Sequence, residues 1–65
     1  DRPQLDDAEQ QLLGLVMDGR SNNEIAAAIH LAESTVKYHL NGLMTKFQVR
    51  NRIKLAVRAS ELGYH

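Results

Sequence analysis

Apolar residues recur along this chain at spacings of three and four, the period of an α-helix, and nowhere alternate as in a β-strand. The clearest case is "AESTVKYHLNGLMTKF", residues 32–47, in which Val36, Leu40, Leu43 and Phe47 share one face. The opposite face carries Ser34, Tyr38, Asn41 and Thr45, flanked by Thr35, Lys37, His39 and Lys46. Gly42 stands among these polar residues, where glycine weakens a helix by about 1 kcal/mol relative to alanine.

Three further helices are predicted. The first runs from about Asp7 to Met17. Asp6 is its N-cap, and Glu9, three residues on, completes a capping box. Leu5 packs ahead of the cap against Gln10 or Leu13. Ala8, Leu12, Leu15 and Val16 form the apolar stripe with Leu13 beside it, and Gly19 stops the helix. The second starts in "SNNEIAAAIHL", where Ser21 and Glu24 have capping-box spacing. Its predicted buried face is Ile25, Ala28 and Ile29, and it ends near Ile29 or His30. The last helix runs from about Arg50 to Leu62 and is stopped by Gly63.

About three residues separate the second and third helices. So short a turn makes the pair cross steeply, as in a helix-turn-helix. Ala26 is small where the two approach, His30 fills the turn, and β-branched Val36 plugs the later helix into the earlier one. The predicted fold is therefore all-α, a compact four-helix domain containing a helix-turn-helix.

Composition narrows the class. A chain of 65 residues builds one small core, and without cysteine no disulfide supports it. The lack of cysteine fits a reducing cytoplasm. No apolar run approaches the ~18 residues of a membrane-spanning helix, and there is no signal-peptide pattern, so no membrane partner is expected. The opening "DRPQ" reads as interdomain linker, and the expectation is a piece of a longer protein.

The net charge is zero, but the charges are segregated. Residues 1–33 carry two basic against seven acidic side chains, and residues 34–65 carry six against one. Such a split gives a neutral protein a basic surface in its second half. His30 and His65 have no neighbours at metal-ligand spacing. No nucleophile–base pair or glycine-rich phosphate loop is present, and Asp6, Asp7 and Glu9 suit a helix start. No catalysis, cofactor or metal is expected.

With its elements placed, the sequence resembles the LuxR-type helix-turn-helix domain, the DNA-binding end of LuxR and NarL/FixJ regulators. The resemblance runs from Leu5 to about Leu62 and rests on Leu5, Glu9, Leu13 and Gly19, then "SNNEIA" from Ser21 to Ala26. Thr35, Val36, Lys37, His39, Lys46, Val49 and Arg52 complete it. The string S-N-x-E-I-A followed nine residues later by T-V-K-x-H carries most of its specificity. The resemblance implies a third helix in the DNA major groove, with base-reading side chains at Lys37, Tyr38 and Asn41. Lysine suits guanine O6 and N7, and asparagine suits adenine N6 and N7. It further implies a dimer through the fourth helix, with Ile53 and Val57 facing their copies. Asn22, Asn23, Thr35, Lys46, Asn51 and Arg52 are the candidates for phosphate. Arg50 and Arg52 have a competing assignment, pairing with acids of the first helix. His39 is expected to serve structure or phosphate.

Three positions depart from the family pattern. Asp6 replaces the usual serine or threonine but caps as well. Ala8 replaces an arginine. Ala32 replaces the serine that caps the third helix, a loss of about 1 kcal/mol unless Ser34, Thr35 or a DNA phosphate takes up the free amides.

On this reading residues 1–5 are a linker remnant, and residues 6–65 are the DNA-binding domain at the end of a bacterial transcription regulator, of the response-regulator kind. The expected partners are double-stranded promoter or operator DNA, a second copy in a weak homodimer, an N-terminal sensory or receiver domain, and RNA polymerase, all in the cytoplasm. Two other assignments fit the helical pattern: a protein-interaction module without DNA binding, and a domain like region four of a sigma factor.

Overall fold

In a computed structural model that describes residues 2–64, four helices follow one another: α1 Asp7–Met17, α2 Asn22–Ile29, α3 Glu33–Phe47 and α4 Arg52–Glu61. Among the described residues there is no strand. Asp1 and His65, counted above for charge and for metal spacing, lie outside them. The Cα radius of gyration is 10.7 Å. A compact chain of this length is expected at about 11 Å.

Three of the four helix starts are capped by a side chain. Asp6 accepts from the Glu9 amide at 2.8 Å while the Glu9 carboxylate accepts from the Asp6 amide at 3.1 Å, the predicted reciprocal cap. Ser21 and Glu24 repeat it on α2, at 3.2 and 2.9 Å. The Asn51 side chain caps α4 by accepting from the Lys54 amide at 2.8 Å. This places the start of α4 at Arg52, two residues later than the apolar pattern alone suggested. Ala32 stands at the N-cap of α3 and offers no side-chain acceptor.

The core takes Leu12, Leu13 and Val16 from α1, Ile25 and Ala26 from α2, Val36, Leu40, Leu43 and Phe47 from α3, and Leu55 and Ala59 from α4. Among the described residues no polar side chain is buried with them. Each large aliphatic side chain contributes roughly 2 kcal/mol by leaving water. α1 and α3 each pack against all three other helices, so α3 is held from behind along its whole length.

Two predicted stripes are rotated. On α1, Leu13 is central, Leu15 half-buried and Ala8 exposed. On α2, Ala26 is buried, in keeping with its place where the two helices approach, but Ala28, expected on the buried face, is exposed. On both helices the buried arc reaches one position further along than the predicted stripe. Leu15, Ala28 and Ile29 instead line a groove between α1 and α2.

Candidate nucleic-acid interface

The turn between α2 and α3 is closed by one acceptor. His30 adopts a left-handed conformation (φ 59°, ψ 43°), and its amide and that of Leu31 both donate to the Ala26 carbonyl. A left-handed non-glycine residue costs about 1–2 kcal/mol. The Ala26 side chain is itself buried beside this turn.

On α3 the core-facing residues alternate with an exposed set. Val36 and Leu43 are fully buried, and Leu40 and Phe47 nearly so. Ser34, Lys37, Tyr38, Asn41, Gly42 and Thr45 are exposed. The three residues expected to read bases thus lie together on the first turns of one solvent-facing surface. Tyr38 is 75% exposed. Its ring meets the half-buried His39 edge-on, with centroids 5.5 Å apart. Lys37 has no ion-pair partner among the described residues. A shallow hollow beside these residues is lined by Tyr38, His39, Asn41, Gly42, Thr45 and Glu9.

The residues expected to hold phosphate fall into two groups. Asn23 is exposed and Thr35 half-buried at the starts of α2 and α3. The other four already have protein partners. Arg52 donates to the Asn22 side-chain oxygen and to the Arg20 carbonyl, both at 2.8 Å, tying the start of α4 to the start of α2. It pairs with no acid of α1. Asn51 caps α4. Lys46 lies 2.8 Å from each carboxylate oxygen of Glu9 and also donates to the Gln4 carbonyl. The Lys46 hydrogen bond, followed by that of the Asp6 amide, holds the Glu9 carboxyl below its usual pKa of 4.5.

Sequence reasoning missed the chain ends. Tyr64 donates its hydroxyl to the Pro3 carbonyl at 2.6 Å and stacks edge-on against Phe47. The Arg2 guanidinium lies 5.0 Å from the centre of the Tyr64 ring. Three successive carbonyls, of Pro3, Gln4 and Leu5, accept from Tyr64, Lys46 and Gln10. The available signal was an aromatic residue directly after the glycine that ends α4.

On α4, Leu55 and Ala59 are fully buried while Ile53 is 75% and Val57 55% exposed. The exposed pair lines a groove with Val16, Met17 and Ala56.

Comparison with known proteins places this arrangement. The family described as bacterial regulatory proteins, luxR family, matches residues 3–59. The DNA-binding transcriptional activator DevR/DosR of Mycobacterium tuberculosis is 43% identical over 58 residues, covering 89% of this chain and 27% of that protein. The transcriptional regulatory protein DesR of Bacillus subtilis is 35% identical over 60 residues, covering 92% and 30%. Among solved structures, the response regulator ChrA of a heme-sensing two-component system superposes with a TM-score of 0.90 at 31% identity, over all of this chain and 32% of that one. VqmA of Vibrio cholerae, a LuxR-type receptor, gives 0.94 at 25% identity, over 98% and 29%. The chain spans less than a third of the length of each of these relatives.

Proposed function

The chain belongs to the luxR family of bacterial regulatory proteins, and from that premise we propose that it is the part of a transcription regulator that binds double-stranded DNA by sequence. One observation carries the reading. Lys37, Tyr38 and Asn41 form an exposed hydrogen-bonding surface on a helix whose other face is locked into the core. A rigid helix with donors on its first turns is what the major groove admits.

In this mechanism α3 lies in the groove and Lys37, Tyr38 and Asn41 meet base edges. The uncapped amides at the start of α3, with Thr35 and Asn23, meet phosphate. Asn22, Asn51 and Arg52 position the α2 and α4 starts around the same backbone. Lys46 supplies positive charge from its place beside Glu9. Ile53 and Val57 pair with their copies in a second chain, so that two α3 helices reach half-sites about one helical turn apart. The face is small, which makes the dimer weak in solution and stronger on DNA. The longer protein is a cytoplasmic response regulator whose other domain controls pairing, and whose bound dimer recruits or blocks RNA polymerase.

Selection of binding sites from random duplexes, with affinity followed across salt, tests the reading. The expected result is an enriched half-site and a log affinity that falls linearly with log salt, as counterion release from several phosphates requires. Affinity that ignores salt, or no enrichment, overturns it.

A further inference from the structure

Gly42 has no explanation inside the molecule. It is helical, whereas the positive-φ glycines among the described residues are Gly19 and Gly63. A Cβ added to it meets nothing within 4 Å. Alanine would therefore fit and would favour the helix. Gly42 nevertheless lines the exposed hollow with Glu9, Tyr38, His39, Asn41 and Thr45, one helical turn beyond Tyr38. Helical side chains lean towards the N-terminus, so a residue covers the surface over the turn before its own Cα. Any side chain at position 42 would cover the exposed flank of α3 over Tyr38 and His39, the residues one turn before it.

We infer that Gly42 is a specificity-determining residue: its bare surface lets α3 close on a base-pair edge beside Tyr38. The inference rests on α3 being the groove-reading helix. With the surface bare, the base pair that Asn41 addresses approaches the helix to direct hydrogen-bonding distance. A methyl group there holds the base edge off and leaves the Asn41 amide short of its partner. Contacts to phosphate lie elsewhere on the domain and are unaffected.

Gly14 supplies the control. It is also helical and also open, with nothing within 4 Å of an added Cβ. It belongs to α1, however, and lines the grooves beside α2 and the chain ends, which no residue of α3 borders. The two substitutions Gly14→Ala and Gly42→Ala thus have the same effect on helix propensity and different effects on the α3 surface.

The test compares the chain with each variant by thermal unfolding, by affinity for a selected duplex and an unrelated one, and by repeated site selection. Both alanines are expected to raise Tm by about 4–8 °C. Gly42→Ala is expected to lower affinity for the selected duplex about tenfold or more and to change the preference at one base step. Affinity for the unrelated duplex and the salt slope stay as they were, because no phosphate contact changes. Gly14→Ala keeps full affinity. A Gly42→Ala chain that binds and selects like the original overturns the inference while leaving the proposed function standing, as does an equal loss in both variants. A parent chain that selects no duplex overturns both.

Discussion

The Lys46 ammonium lies 2.8 Å from both carboxylate oxygens of Glu9 and joins the last turn of α3 to the first turn of α1. Glu9 is the better shielded partner, with its side chain 14% exposed against 41% for Lys46. The same carboxylate accepts from the Asp6 amide, so one group closes the α1 cap and holds α3. Its pKa is lowered, chiefly by the Lys46 hydrogen bond. A carboxyl whose folded pKa is depressed stabilises the fold above its unfolded value and loses that contribution as pH falls through the folded value. The pair's contribution is therefore complete at neutral pH and declines once pH drops below the ordinary 4.5. Glu9→Gln is expected to remove about 1 kcal/mol at pH 7 and to flatten the acid limb of stability against pH. Urea titrations of both chains from pH 7 to pH 3 check this, and parallel acid limbs would refute it.

Tyr64 gives a second prediction. Its hydroxyl reaches the Pro3 carbonyl at 2.6 Å, and its ring stays against Phe47 when the hydroxyl is removed. Tyr64→Phe should cost about 1 kcal/mol, the net value of one partly buried hydrogen bond. The loss should be local, with amide exchange faster at Gln4 and Leu5 and unchanged at Leu43. Uniform acceleration across the core would show instead that the ring packing had failed.

These two contacts also mark where the sequence stopped being legible. Four helices and two capping boxes follow from local spacing, because caps and amphipathic faces are properties of neighbouring residues, whereas the exposed pair on α4 came from the family resemblance. The bond from Tyr64 to Pro3 spans 61 positions and that from Lys46 to Gln4 spans 42, and no periodicity signals either. The same limit explains Lys46 and Arg52. Their charge was readable and suggested phosphate, whereas their partners Glu9, Asn22 and the Arg20 carbonyl depend on how α1, α2 and α4 come together. The exposure of Lys37, Tyr38 and Asn41 needed only the position of one stripe on one helix, whereas their assignment to base edges came from the family resemblance.

The missing cap on α3 leads to a third prediction. Ala32 leaves the amides of Ser34 and Thr35 without a side-chain acceptor. Ala32→Ser should stabilise the free domain by about 1 kcal/mol. In the parent chain those two amides should exchange quickly and slow on binding DNA, as a phosphate takes the place of the cap. Slow exchange already present in the free domain would count against that role for phosphate.

Lys37 is exposed, free of ion pairs among the described residues and on the outward side of α3, so its removal should leave the fold intact. Lys37→Ala is expected to weaken specific binding by roughly 1–3 kcal/mol and to relax preference at one base position. Site selection on the variant decides the matter, since an unchanged preference would remove Lys37 from the reading surface.

Val57 tests the dimer. It is 55% exposed, with Leu55 and Ala59 fully buried on the other side of the same helix. A carboxylate at Val57 therefore stays solvated in the monomer, and Val57→Glu should unfold at nearly the same urea concentration as the parent. In a dimer it would bring two like charges together on an apolar patch with Ile53, and a buried unpaired charge is strongly unfavourable. Binding to a single half-site should persist, while cooperative filling of two half-sites should disappear. Gel-shift titrations on duplexes with one and with two half-sites separate these effects. Native cooperativity in a folded Val57→Glu chain would move the interface away from α4.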